Sequence, residues 1–200
     1  MRYPEAVSPF MALPVDATNA DWDDLAELAA GNEVIVLDVG ARPPASWEVT
    51  RQLPVLQMTG VDAEAKINTD VDRLGEADAA EMLALAERTK PGPFGLRTHE
   101  LGSYFGVRRD GQLIAMAGER FHPPGWVEVS GVCTDSMFWG QGLAATLMSA
   151  VVAGIRERGE SPFLHVLNEN QRAVDLYMRL GYTVRREVTV IALRPGGREE

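Results

Sequence analysis

Hydrophobic and polar positions along the chain change their period several times, and each change marks an element. In NADWDDLAELAAG, residues 19–31, Trp22, Leu25 and Leu28 recur at helical spacing, with Asn19 or Asp21 as a cap and Gly31-Asn32 as a stop. EVIVLDV, residues 33–39, is an apolar run of the length of a buried strand. A proline-rich turn and two further strand candidates, WEVT and PVLQMTG, follow it. GEADAAEMLALAER, residues 75–88, returns to helical spacing and should stop before Lys90-Pro91, because the residue ahead of a proline is pushed out of the helical region. A loop dense in glycine and proline, PGPFGLRTHELGS, comes next.

The second half is patterned more sharply. Asp110-Gly111 lies between two strand-like runs in YFGVRRDGQLIAMAGER, a hairpin signal because both turn positions tolerate positive φ. WVEVSGVCT reads as a third strand. Leu143, Leu147, Val151 and Ile155 then fall at every fourth position, as on an amphipathic helix. PFLHVL is a short strand, NENQRAVDLYMRLG a helix closed by Gly181, and YTVRREVTVIAL a long final strand, with a disordered tail expected over residues 195–200.

Composition narrows what these elements can do. With 200 residues, 46% apolar and 24% charged, the chain is an ordinary globular protein of one domain plus an extension. It has no apolar run of membrane-spanning length and no signal-peptide pattern, so a cytoplasmic protein that does not enter a membrane is expected. The single Cys133 cannot form an internal disulfide. The net charge of −10 argues against nucleic acid as a partner, since neutralising phosphates takes clustered Lys and Arg. All of the excess acid lies in residues 1–100, which carry 8 basic and 18 acidic side chains. Two readings of that asymmetry stay open: a solvated surface, or an acceptor side that favours cations.

The stretch VSGVCTDSMFWGQGLAATLM, residues 129–148, carries the candidate chemistry. Gly140-Gln141-Gly142-Leu143-Ala144-Ala145 satisfies the dinucleotide fingerprint, but its context is wrong: residues 135–139 intervene after the strand, and only 55 residues follow Ala145. The physics behind the fingerprint still applies. Amides at a helix start are unpaired, and glycine lets a phosphate approach them closely, so Gly140 to Ala145 is a plausible pyrophosphate cradle.

Two motifs in order resemble the GNAT superfamily of acetyl-CoA-dependent N-acetyltransferases. Val132-Cys133-Thr134 through Trp139-Gly140-Gln141-Gly142-Leu143-Ala144 is similar to the family's V-x-T-x-P-x-x-R-G-x-G-x-A. Asn170 through Tyr182 is similar to N-x-x-A-x-x-L-Y-x-x-L-G-F. The resemblance runs from about Lys66 to Leu193, leaving residues 1–65 as an extension packed on a core of residues 66–194. It implies an α/β (α+β) fold: a mixed, mostly antiparallel central sheet with flanking helices.

The resemblance also implies a donor and a set of roles. Acetyl-CoA would be the donor, with no metal. Val132, Cys133 and Thr134 would line pantetheine through main-chain groups. Gly140, Gly142, Leu143 and Ala144 would hold the pyrophosphate, with Trp139 and Gln141 in the same turn. Asn170 would reach the cofactor, and Tyr177 would both line the cofactor and protonate the leaving thiolate. PFLHVL would splay away to open a cleft. The acceptor would be a small-molecule amine or a peptide N-terminus, and the protein a monomer or homodimer.

Other site residues rest on position alone. Glu119 and Glu128 lie on strands expected to border the cleft, each either a general base working through a water or half of an ion pair. His165 alternates with Phe163 and Leu167 and either lines the acceptor pocket or is a satisfied core histidine. Phe94 sits in the PGPF loop, where family members vary their substrate contacts. Strict alternation would place Trp126, Glu128, Ser130 and Val132 on one face unless a bulge intervenes.

The chain also departs from the pattern. Trp139 stands where Arg or Gln is usual, and Val132 to Met148 contains no Lys or Arg. Charge support for the phosphates must then come from elsewhere, with Arg172 a candidate, and Trp139 would either stack on the adenine or cap the turn. A second reading follows, that of a non-catalytic acyl-CoA-sensing or interaction module on the same fold.

Overall fold

The structure is a computed structural model that describes residues 2–37, 42–66 and 70–196. Helix α1, Asn19–Ala29, begins one residue earlier than the sequence signals suggest. Its cap is Thr18, whose hydroxyl accepts from the Asp21 N–H while the Asp21 carboxylate accepts from the Thr18 N–H at 2.8 Å. Ala30 and Gly31, both at positive φ, end it. Strand β1, Val34–Leu37, takes up most of EVIVLDV; the last two residues of that run lie outside the described residues.

The two candidates WEVT and PVLQMTG are one strand, β2, Trp47–Thr59, with a register shift between Val49 and Arg51. Pro54 sits inside it at little cost. The Pro54 carbonyl accepts from the Asn168 N–H just past the end of the neighbouring strand, so the donor that proline lacks would have faced that frayed end.

A three-residue strand, β3, Asp72–Leu74, has no counterpart in the sequence reading, being too short to show alternation. Helix α2, Ala79–Thr89, stops at Lys90, which turns left-handed at φ 53° ahead of Pro91. Strands β4, Tyr104–Arg109, and β5, Gln112–Glu119, form the expected hairpin, with Asp110 and Gly111 both at positive φ. Then come β6, Trp126–Thr134; α3, Leu143–Glu157; β7, Ser161–Leu167; α4, Gln171–Arg179; and β8, Thr183–Pro195. Pro195 thus belongs to the last strand, and the Gly196 N–H donates to the Ser46 carbonyl at 2.6 Å; residues 197–200 of the expected tail are outside the described residues.

The eight strands of the described residues form one sheet in the order β1-β8-β2-β7-β6-β5-β4-β3, antiparallel throughout except for β6 beside β7. The strand signals in residues 1–65 are therefore members of the sheet itself, with β2 inserted between β7 and β8. On one face, Leu147, Val151 and Ile155 of α3 pack with Val127, Val129, Leu164 and Val166; α4 adds Val174 and Tyr177. Each such aliphatic burial stabilises the fold by about 1.5–3 kcal/mol. On the other face, Met82 and Leu85 of α2 pack on Leu113, Met116 and Cys133. A third cluster joins Trp22 and Leu25 of α1 to Trp47, Ile191 and Leu193.

A bulge in β6 decides which residues face which cluster. Met116 pairs with Cys133 but Gly118 pairs with Ser130, so β6 carries one extra residue, and Gly131 takes φ 62° there. Beyond it the alternation is reset: Val132 packs with the α3 cluster and Cys133 with the α2 cluster. Val132 and Glu128 consequently face opposite sides of the sheet, contrary to strict alternation.

Candidate active site

The parallel pair β6–β7 is short. It is held by Trp126 with Ser161, Val127 with Pro162 and Glu128 with Phe163, after which β6 runs on to Thr134 while β7 stays paired with β2. The strands part, and the edge of β6 from Val129 to Thr134 faces the gap. At its mouth lies a cleft of about 820 Å³ lined by Val132, Cys133 and Thr134, by the turn from Trp139 to Ala145, and by Asn170, Ala173, Leu176 and Tyr177 of α4. The structure thus brings together every residue the sequence assigns to the cofactor.

Within the turn, Gly140 and Gly142 sit at φ 79° and 77°, a left-handed backbone that a side chain would strain, and nothing stands within 4 Å of the place a Cβ would occupy. Gly142 is the N-cap of the 15-residue α3 and offers no side-chain cap. The amides of the first helical turn therefore point into open space, with the positive end of the helix dipole behind them. This is a cradle that fits a pyrophosphate.

Trp139 takes the second of its two expected roles. Its indole N–H donates to the Thr134 carbonyl at 2.8 Å and closes the turn. The Arg172 guanidinium carbon lies 4.1 Å from the centre of the indole. Arg88, at the end of α2, faces the same cleft and donates to Asp135 at 3.4 Å. Lys90 and Arg179 also line it. The basic residues missing from the turn are supplied to the cleft by α4 and by the end of α2, a convergence that sequence spacing alone does not display.

Asn170 is the N-cap of α4, its side-chain oxygen accepting from the Ala173 N–H at 3.2 Å, so its carboxamide N–H groups are the ones left for a ligand. Burial, with a further contribution from Cys133, pushes the Tyr177 phenol up to about 12, so it is a proton donor throughout the neutral range. Burial likewise raises the Cys133 thiol, to about 11, which makes it a poor nucleophile.

On the opposite face the parting is closed by side chains. Arg120 holds Glu128 with two bonds, at 2.7 and 3.0 Å, while its guanidinium carbon lies 4.5 Å from the centre of the Phe10 ring and 4.9 Å from that of Phe121. Glu128 is fully buried. Burial alone would raise its carboxyl, but the charge of Arg120 and hydrogen bonds from His165 and Arg120 overcome this and hold it at about 2. His165 Nδ1 lies 2.8 Å from Glu128, and Nε2 lies 3.0 Å from the Gln57 amide nitrogen. Arg185 donates to the Gln57 oxygen, so the amide must present N–H to the ring, and the ring proton must sit on Nδ1. His165 is thereby satisfied on both nitrogens. It borders a second hollow of about 380 Å³ lined by Leu13, Val15 and Gln57, apart from the cleft at the parting. Glu119 is also buried and committed: Arg158 donates to it at 2.8 Å and the Ser103 N–H at 3.2 Å.

Sequence reasoning missed Tyr104. Its ring lies across Gly118 of β5 and reaches Gly131 at the β6 bulge; a Cβ would stand 2.3 Å from the ring at Gly118 and 3.1 Å from it at Gly131. Its buried hydroxyl has no partner among the described residues, and Phe94 meets the ring edge-on at 5.8 Å. Gly118 in MAGE and Gly131 in VSGV, which leave room for the ring, were the available signal. The N-terminal segment runs along this face: the Arg97 N–H donates to the Ala6 carbonyl, and Thr98 Oγ1 donates to the Val7 carbonyl. Among the described residues, no helix is long and apolar enough to cross a membrane.

Comparison with known proteins agrees with this geometry. Residues 104–191 match the family model described as FR47-like protein. No curated protein matches the chain. Among solved structures, a GNAT-family protein from Novosphingobium aromaticivorans is 39% identical, with a TM-score of 0.85 over 96% of this chain and 86% of that one. A GCN5-related N-acetyltransferase from Kribbella flavida is 18% identical, with a TM-score of 0.60 over 94% of this chain and 79% of its own. The ribosomal-protein-S18-alanine N-acetyltransferase of Escherichia coli is 19% identical, with a TM-score of 0.51 over 65% of this chain and 97% of its own. The last two show the shared fold.

Proposed function

The chain belongs to the GNAT family of acetyltransferases, and from that membership we propose that it transfers an acetyl group from acetyl-CoA to the nitrogen of an amine. The observation that carries the reading is one cleft that gathers a free strand edge, an open phosphate turn and a buried phenol. Acetyl-CoA supplies an activated thioester. The chain supplies alignment: main-chain groups of Val132 and Cys133 for an extended pantetheine, and amides of Gly140, Gly142, Leu143 and Ala144 for the pyrophosphate. Gln141 and the Asn170 carboxamide flank the same path. The Thr134 carbonyl is already used by Trp139, which leaves Thr134 a lining role.

The amine must arrive neutral. As its nitrogen bonds to the carbonyl carbon and the carbon–sulfur bond breaks, it loses one proton and the departing sulfur gains one from Tyr177. Holding both reactants in the parting provides much of the acceleration. Glu119 and Glu128 are the candidate carboxylates, Glu128 on the acceptor side and Glu119, paired with Val129, turned toward the end of α3. Each is bound to an arginine, so either takes the proton of the amine only through a water. Phe94 and His165 border the side from which the acceptor enters. A small amine or a peptide N-terminus is the acceptor class, in line with the peptide acceptor named for the Escherichia coli relative.

Incubation with acetyl-CoA and a panel of small amines and peptides, read by release of free thiol, tests the reading. Acceptor-dependent thiol release is expected. Calorimetric binding of acetyl-CoA without turnover on any acceptor would favour a sensing module on the same fold.

A further inference from the structure

The phosphate turn poses a charge problem. Coenzyme A brings a pyrophosphate and a separate ribose 3′-phosphate, yet Val132 to Met148 holds no cation. Backbone amides can satisfy the pyrophosphate without one. A terminal phosphate carrying close to two charges is another matter, because three strong acceptor oxygens call for a fixed cation.

We infer that Arg172 and Trp139 act as one unit that reads the 3′-phosphate of coenzyme A, delivering from α4 the cation that the turn lacks. The inference rests on the acetyl-CoA reading above.

Trp139 is anchored by its indole bond to Thr134 but is 55% exposed, so it stands at the mouth of the cleft and not on its floor. Its ring is covered by the Arg172 guanidinium at 4.1 Å. A guanidinium seated over a ring is held by cation–π attraction, which uses none of its N–H groups as hydrogen bonds to a carboxylate and so leaves them for a bidentate partner. Among the described residues, no carboxylate pairs with Arg172, whereas Arg88 is bound to Asp135. Lys90 and Arg179 line the cleft without such a platform and must be ordered on binding. The tryptophan that replaces a usual arginine is thus the seat for an arginine carried by another element.

Calorimetric titration of the full chain with coenzyme A and with 3′-dephospho-coenzyme A, at low ionic strength, decides it. The parent should prefer coenzyme A by about three- to tenfold, the range of one charge-assisted contact near the surface. Arg172→Ala should abolish the preference while leaving affinity for the dephospho form within about twofold. Trp139→Ala should also abolish the preference by unseating the arginine, and should in addition weaken both ligands to a similar degree because the turn loses the indole bond that closes it. Trp139→Arg in the Arg172→Ala background should restore the preference by placing a cation in the turn. Circular dichroism of each variant confirms folding, which changes at the cleft mouth should not disturb. Equal binding of both ligands by the parent, or equal weakening of both by Arg172→Ala, overturns the inference alone. A folded parent that binds neither ligand overturns the acetyl-CoA reading and the inference with it.

Discussion

The two sides of the parting between β6 and β7 are built in opposite ways. Toward α3 and α4 the site is made of main chain: a free strand edge and the amides of Gly140 to Ala144, with few side chains whose identity matters. Toward the other face it is made of side chains. Arg120, Glu128, His165, Gln57 and Arg185 come from five places along the chain and hydrogen-bond in series. An amide has no identity to lose, so the first side tolerates departures such as Trp139. A buried charge has no tolerance, because removing either partner strands the other. On the proposed reading, the open side suits a cofactor held by its backbone-facing groups, and the closed side fixes one particular geometry across the sheet from it.

Glu128→Gln tests this contrast with the largest expected effect. It leaves the Arg120 charge buried without its counter-ion, which should cost about 3–5 kcal/mol in urea denaturation at neutral pH. Coenzyme A affinity of the folded fraction should not change. The sign of the acid response follows from the depressed carboxyl. The Glu128 contribution is present above its unfolded value near 4.5 and is lost as pH falls toward its folded value of about 2. Over that window the parent should lose about 3 kcal/mol that the variant does not, at 1.36 kcal/mol per pKa unit. A variant as stable as the parent at pH 7 would mean the closed side is no more demanding than the open one.

Tyr177→Phe probes the open side where a side chain does matter. The ring stays packed 6.1 Å from Tyr182 and only a hydroxyl is lost, so stability should move by less than about 1 kcal/mol. Turnover should fall about a hundredfold, the lower end of what a positioned acid contributes, with cofactor affinity unchanged. The pH profile gives a second reading. An acid is lost as pH rises through its own pKa, and burial places that of Tyr177 near 12, above the ordinary 10. The parent's rate should climb as the acceptor amine loses its proton and should not decline before pH 10. A decline centred near 10 would place the hydroxyl in water.

The same division explains what could be read from the sequence. Gly140-Gln141-Gly142, Asn170 to Tyr182 and the Asp110-Gly111 hairpin are local, each a backbone conformation written in neighbouring residues, and each appears where spacing puts it. The closed side is written across the chain: Gln57 and His165 are 108 positions apart, Gln57 and Arg185 128. No period reveals such a pairing, nor the seat of β2 between β7 and β8. Alternation failed at Val132 because one extra residue at Gly131 turns every later side chain over. Trp139 was visible as an anomaly in its own motif, but its meaning lies on α4.

The smallest expected effects reduce the comparison to a single methyl group on each side. At Gly118 the backbone is ordinary, but a Cβ would stand 2.3 Å from the Tyr104 ring, so Gly118→Ala must displace a buried aromatic and should cost about 1–3 kcal/mol. At Gly142 there is no neighbour within 4 Å, and the only intrinsic penalty is the left-handed backbone at φ 77°. Gly142→Ala should therefore cost about 1 kcal/mol in denaturation. Its affinity for coenzyme A should fall more than that strain explains, because the methyl group stands where a phosphate would approach the amides. If instead affinity is unchanged while stability drops, the glycine serves only the turn, and the open side is open for a reason other than its ligand.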